Sequence, residues 1–297
     1  MKKIVAGLPV LALVATLLTG CSSAPDIKIS GKFGETVTIK SGIPASGGSN
    51  LLVVEHGSKP ETEAPFVVSH RTVFNATTGE TLVSQNQVLP VKTEDSDPEW
   101  MREVVSTTGV GERSVLLSDI VTVFGEGVAA QAGMKDTDPI ILVDDIVLAT
   151  QATASGAEKT LPAGFPTLKI GEDGVPVITL PAGGPPSELM IANTIEGDGE
   201  VVKEGSDVVV NYQGTNWRTG EVFDQSYDSR FPISFNTEGV VSGFKKALVG
   251  QKVGSQVVAI IPPAEGYGEA GSASAQIQGT DVLVFVIDIL GTLPAAK

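Results

Sequence analysis

The sequence predicts an α+β fold made of two tandem copies of one unit, each an antiparallel sheet wrapped on one short helix. Three observations predict it. β-branched, apolar-rich runs bounded by Gly or Pro recur along the chain. Each half carries one short helical signal between such runs. The chain also repeats itself: with a shift of 143 residues, Met101–Leu148 lies on Phe244–Gly291 without a gap, and twelve of 48 positions are identical. A long ungapped match of this kind reads as a duplicated structural unit.

The elements follow in chain order. Met1-Lys2-Lys3, an apolar run from Ile4 to Leu18 and "LTGC" ending at Cys21 form a secretory signal over residues 1–20. The run is short of the ~20 apolar residues that span a bilayer. "LTGC" resembles the bacterial lipobox, which implies a diacylated Cys21 as first mature residue and a short tether over 21–26. Cys21 is the only cysteine, so no internal disulfide is available and lipidation explains the odd count. The chain is thereby expected at the extracytoplasmic face of a cell membrane, held by lipid.

Residues 27–150 form the first unit. Its helix is expected to start with Asp97 capping, Pro98 opening and Glu99 in the first turn. Residues 151–186 hold six prolines and several glycines and read as a linker or an irregular arm, with a hairpin turning at Asp173-Gly174 inside "LKIGEDGVPVITLP" that is open to packing on either unit. Residues 187–297 form the second unit. There "DVVVNYQG", "SQVVAIIP" and "DVLVFVIDIL" are strands, Phe244, Ala247 and Leu248 mark one helix face, and Gly250 stops the helix.

Composition narrows the function. The formal charge is -15, a poor match to nucleic acid, whose phosphates demand a basic face. His56 and His70 are the only histidines. They lack a second ligand at metal spacing and read as satisfied surface residues, so no metal or cofactor is expected. With no histidine in the second unit, a Ser-His-Asp hydrolase is excluded there. "GDGE" at Gly197 is a turn without the Lys of a phosphate loop, and Trp100 reads as core or domain interface.

In the second unit the ordered pieces "VNYQG", "TGEVFDQS", "FPISF", "VVSGFKKALVGQKVGSQVVAIIPPAEGYG" and "VLVFVIDIL" resemble an FKBP-type peptidyl-prolyl cis-trans isomerase, over roughly Ser187 to Leu293. The resemblance implies a five- or six-stranded half-barrel with an apolar cleft over its helix. It places Tyr212, Phe223, Asp224, Tyr267 and Phe285 as catalytic residues, and Ile233, Val240, Val241, Phe244 and Ile277 as substrate-binding ones. It further implies clients that are unfolded exported chains with X-Pro bonds, and FK506/rapamycin-type macrolides as ligands. Two departures stand out: Phe244 takes a position that is frequently Trp, and "GSASAQIQGTD" lacks an Ile-Pro-Pro run.

The residue types suit the chemistry. Rotation about an X-Pro bond makes and breaks no bond, so it needs no nucleophile or metal. A dry aromatic pocket favours the twisted amide over the resonant planar one. Asp224 is expected to be buried beside Phe223, and with the Tyr212 and Tyr267 hydroxyls to orient the peptide, or to brace the loop through Tyr212. Taken singly, each apolar residue is also explained by core packing. A non-catalytic peptide-binding or chaperone lipoprotein is the alternative, and a purely structural envelope role the second rival.

The first unit keeps "TGE" at Thr78 but follows it with Leu82-Val83 where the second has Phe223-Asp224. Tyr212 is matched by Arg71, Phe244 by Met101, Tyr267 by Phe124 and Phe285 by Leu142. The first unit is therefore expected to be a degenerate, inactive copy with an apolar filling and no polar handles. A spacer, a dimerisation surface and a second peptide-binding face remain open for it.

Overall fold

The computed structural model describes residues 27–40, 51–55, 62–172, 174–229 and 231–294. The leader, Cys21, the tether, His56 and Asp173 lie outside the described residues. Among the described residues no helix is long and apolar enough to cross a membrane.

The strands form where the alternating apolar runs lie. β1 (Lys28–Ser30) pairs with β2 (Thr38–Lys40). Then come β3 (Leu51–Glu55), β4 (Phe66–Asn75), β5 (Thr81–Pro90), α1 (Glu99–Thr107), β6 (Arg113–Asp119), α2 (Ile120–Phe124), α3 (Val128–Gln131) and β7 (Pro139–Thr150). β3 to β7 make an antiparallel sheet in the order β3-β6-β7-β4-β5. The next segment holds β8 (Ala157–Glu158), β9 (Thr167–Ile170) and β10 (Pro176–Thr179). After it follow β11 (Met190–Glu196), β12 (Asp207–Asn216), β13 (Val222–Gln225), β14 (Ile233–Asn236), α4 (Ser242–Leu248), β15 (Gln256–Ile261) and β16 (Leu283–Leu293). The second sheet runs β13-β12-β16-β15-β11-β8, with β14 also paired to β12.

The two sheets share their irregularities. β4 slips one residue against β7 between Val68 and Ser69, and β12 slips against β16 between Val209 and Val210, 141 residues later. β4 slips against β5 at Val73/Phe74, and β12 against β13 at Gly214/Thr215, again 141 residues apart. Such bulges bend a strand and re-aim its side chains.

Two expectations change, and one left open is settled. Among the described residues the first unit carries three helical segments rather than one; α2 and α3 have five and four residues, too short to leave a 3.6-residue period in the sequence. Asp97 does not cap α1: its carboxylate accepts the Glu94 N–H at 2.7 Å and Pro98 holds the cap position. Of the readings left open for 151–186, the packed arm is the one seen. β8 pairs with β11 at the edge of the second sheet, and Phe165, Leu168 and Ile178 cover Val258, Val284 and Val286 on its outer face.

The sheets also meet each other. Val68, Val209 and Leu290 form a small shared core, Thr150 donates to the Leu290 carbonyl at 2.6 Å, and Asn86 donates to Asp207 at 2.7 Å.

Candidate functional site

The site builds from the centre of the second sheet. On β12, Val208, Val210 and Tyr212 point to one face, and β16 sets Phe285, Ile287 and Ile289 on the same face. α4 lies across it with Phe244, Ala247 and Leu248 buried. The helix comes this close because position 243 is glycine: a Cβ there would lie 2.5 Å from Ile261 Cγ2. Gly250 ends the helix with φ +88°, a conformation glycine adopts without steric cost.

Four rings meet above this floor. Phe244 stands edge-on to Phe285 at 5.0 Å and to Tyr212 at 5.9 Å, and Phe235 lies 5.5 Å from Phe244. Edge-to-face geometry is the favoured one for aromatic pairs. Between them opens a cleft of about 300 Å³. β14 contributes Ile233 and Phe235 to it, the residues before α4 contribute Gly239, Val240 and Val241, and Asp224 and Tyr267 stand with the rings. Tyr267 is held near α4 because Ser242 and Lys246 both donate to Glu265, two residues before it.

The polar groups form one unit. The Tyr212 hydroxyl donates to Asp224 at 2.5 Å. Burial, then that hydrogen bond, pushes the Tyr212 phenol well above its usual range, and burial, then the Asp224 charge, raises Tyr267. Both phenols stay protonated at neutral pH; the Tyr212 proton is committed to Asp224, and that of Tyr267 can be donated to a carbonyl. Among the described residues no cluster could hold a metal ion.

The structure thus brings together Tyr212, Asp224, Ile233, Val240, Val241, Phe244, Tyr267 and Phe285. Three expectations are corrected. Asp224 is exposed, not buried, because the bulge at Phe223 turns the carboxylate to the cleft mouth. Phe223 and Ile277 do not line the cleft. Phe223 backs Phe285 at 5.6 Å, and Phe223 and Ile277 line a neighbouring cavity. Phe235 joins the cleft from outside the expected set, although "FPISF" alternates inward and outward and so signals it.

Gly214 lies outside that set too, and it explains how the rings fit. It sits opposite Phe285 in the ladder. A Cβ there would lie 2.6 Å from Phe223 Cζ and 2.8 Å from Phe285 Cε1.

The matching place in the first sheet is filled. Val73 replaces Gly214 and is fully buried. Trp100 replaces Gly243 and stacks on Arg71, whose guanidinium carbon lies 4.4 Å from the ring centroid. Arg71 grips Asp144 through Nε at 2.8 Å and Nη2 at 3.0 Å, and Ser69 donates to the same carboxylate at 2.6 Å. The expected apolar filling is therefore wrong: a buried ion pair occupies the ground that Tyr212 and Ile287 hold in the second sheet. His70 is likewise buried rather than on the surface, beside Asn86 at 3.0 Å and Ser84 at 3.3 Å.

Comparison with known proteins bears on the second sheet. A family model described as FKBP-type peptidyl-prolyl cis-trans isomerase matches residues 199–290. An FK506-binding protein of Streptomyces anulatus is 37% identical over 117 residues, which is 39% of this chain and 94% of that protein. A probable FK506-binding protein of Corynebacterium glutamicum is 37% identical over 115 residues, 39% of this chain and 96% of that one. The isomerase FkpA of Escherichia coli is 40% identical over 101 residues, 34% of this chain and 36% of its own length. The crystal structure of that E. coli FkpA overlaps 45% of this chain and 54% of its own, at 32% identity with a TM-score of 0.35.

Proposed function

This chain belongs to the FKBP-type peptidyl-prolyl cis-trans isomerase family, and from that premise we propose how its two sheets divide the work. The cleft between α4 and the second sheet turns X-Pro bonds of unfolded, exported polypeptides. The barrier to that rotation is about 18–20 kcal/mol, and the uncatalysed exchange takes tens to hundreds of seconds. Turnover at ~10–10³ per second requires lowering the barrier by about 3–7 kcal/mol. The proline ring sits on Phe244 between Phe285 and Tyr212. There the amide is stripped of water, which disfavours the planar, resonance-polarised form more than the twisted one. The Tyr267 phenol donates to the displaced carbonyl, and Tyr212, fixed by Asp224, aligns the flanking peptide. FK506/rapamycin-type macrolides, which present a comparable apolar ring and carbonyls, enter the same cleft.

The first sheet is a degenerate copy of the same unit and has no isomerase activity. The repeated bulges support the shared origin, and Arg71, Asp144, Trp100 and Val73 fill the place of its cleft. Cys21, diacylated, holds the protein at the outer face of a membrane. The sequence alone supports that anchor; release of a Cys21→Ser variant into the soluble fraction, with loss of palmitate labelling, tests it.

The observation that carries the catalytic reading is the open aromatic cleft beside the Tyr212–Asp224 bond. A cis-trans exchange assay on a short X-Pro peptide tests it. The wild-type protein accelerates exchange, and the pair Asp224→Val with Tyr267→Phe, copying the first sheet, suppresses it. A protein that binds the peptide without accelerating exchange is a holdase, and the reading fails.

A further inference from the structure

We propose that a second cavity beside the cleft holds an extended stretch of the client polypeptide adjoining the isomerised bond; this rests on the isomerase reading above. The cavity measures about 700 Å³, against about 300 Å³ for the cleft. It lies between the β12–β13 hairpin and the 272–278 loop. Phe223 and Ile277, the two expected cleft residues that do not line the cleft, line this trough instead.

One strand serves both cavities. Val222 and Phe223 of β13 border the trough and Asp224, the next residue, borders the cleft. The Phe223 ring is the partition, its far side meeting Phe285. A chain leaving the cleft past Asp224 therefore runs on into the trough along β13. Among the described strands β13 pairs with β12 alone, so it is a sheet edge, and Val222 is 46% exposed. A sheet edge offers backbone N–H and C=O groups to an extended peptide, which adds as a further strand.

The opposite wall is preformed. Ser272 and Ile277 exchange backbone hydrogen bonds of 2.8 and 2.9 Å. Gly271 and Gly279 are pressed against backbone: a Cβ would lie 2.2 Å from the Ile277 carbonyl oxygen and 2.0 Å from that of Glu269. Behind the lining, the Arg218 charge is paired. Asp281 accepts from Arg218 Nε at 2.7 Å, from Asn216 at 2.7 Å and from the Gln278 N–H at 2.8 Å, which ties the hairpin to the loop. With its cation so engaged, the trough presents the Glu221 carboxylate, the Gln276 and Gln278 amides and the hydroxyls of Thr219, Ser272 and Ser274. Uncharged donors and acceptors beside an open strand edge suit main-chain recognition of many sequences, with Glu221, among the lining residues, the one charge outside that ion pair. At about 3.3 Å per residue, an added strand of three or four residues crosses such a trough.

The test compares a four-residue X-Pro peptide with the same peptide extended by four residues before or after it. Exchange kcat/KM and the Kd of a fluorescent version, read by anisotropy, are measured on the full chain. At least one extension raises kcat/KM and tightens Kd about tenfold, since each added backbone hydrogen bond is worth a few-fold. Methylating alternate amide nitrogens of that extension removes the gain. Ser274→Trp, which fills the trough, brings the long-to-short ratio close to one, and its short-peptide value reports that the cleft is still folded. The proposal is overturned when neither extension changes either quantity by more than about twofold, or when the gain survives both methylation and Ser274→Trp. Tighter binding of the long peptide without accelerated exchange sinks the isomerase reading and leaves the trough standing. Fast exchange of the short peptide with no gain on extension does the reverse.

Discussion

Replacing Gly214 by alanine tests how the cleft is held open. The new Cβ would stand 2.6 Å from Phe223 Cζ and 2.8 Å from Phe285 Cε1. Carbon atoms rest about 3.5–4.0 Å apart, so the two rings must retreat by about 1 Å. Phe285 has little room, since the Phe244 ring lies 5.0 Å from it. Overpacking of this kind costs about 1–3 kcal/mol, and at about 2–4 °C per kcal/mol the melting temperature falls by about 2–12 °C. A misplacement near 1 Å in a wall of the site lowers kcat/KM by about ten- to a hundredfold. Adding Phe223→Leu should restore most of the stability, because the first sheet solves the same contact with Val73 against Leu82 and Leu142. Thermal unfolding and the short-peptide exchange assay read both effects. A Gly214→Ala protein with unchanged melting temperature and unchanged kcat/KM, or one that Phe223→Leu does not stabilise, refutes the reasoning.

Arg71→Ala leaves the Asp144 carboxylate buried without its cation, and breaking such a pair costs about 3–5 kcal/mol. The joint change Arg71→Met with Asp144→Ile is far milder, and both proteins keep the exchange activity of the second sheet. Denaturant midpoints with the exchange assay separate these outcomes. The Arg218 hydrogen bond beside Asp281 holds that carboxyl well below its ordinary range. A depressed folded pKa means that the unfolded chain binds the proton more readily. The stabilisation is therefore present above about pH 3.9, the ordinary Asp value, and is lost as pH falls below it. Urea midpoints between pH 2 and 6 should show an acid limb that flattens in Asp281→Asn. Phe66→Ala removes the edge contact, 6.2 Å between centroids, with Phe231 in the segment between Asp224 and Ile233. An aromatic pair is worth about 0.5–1.5 kcal/mol, so KM for the short peptide should rise a few-fold with kcat held. An unchanged KM would show that the first sheet does not brace the cleft.

What could be read from the sequence was local or periodic. Phe244, Ala247 and Leu248 fall on one helix face and are buried together. Tyr212, Ile233 and Phe285 sit on strands whose alternation fixes their side. What could not be read depends on pairing between distant segments. The Arg71–Asp144 pair joins residues 73 apart in sequence through the β4–β7 ladder, and nothing near either residue announces it. The placement of Phe223 and the exposure of Asp224 follow from a one-residue slip at Gly214/Thr215, which flips faces without altering composition. The edge strand β8 has two residues, too few for any period to mark it.

The pair "FD" in one half and "LV" in the other is the visible end of a coupled choice. A bulge at the same place in both sheets puts two consecutive side chains near the neighbouring strand. In the second sheet the strand answers with glycine, so two large rings fit edge to edge and leave open space above. Glycine at the facing helix position then brings α4 down to floor that space with Phe244. In the first sheet the strand answers with valine, the helix with tryptophan, and the space is taken by Arg71 and Asp144. Neither set works with half of the other: Val73's equivalent would collide with Phe223, and Gly243's equivalent would leave Arg71 without its stacked ring. The small residues, Gly214 and Gly243, therefore decide where a cleft exists, and the aromatic residues that line it depend on them.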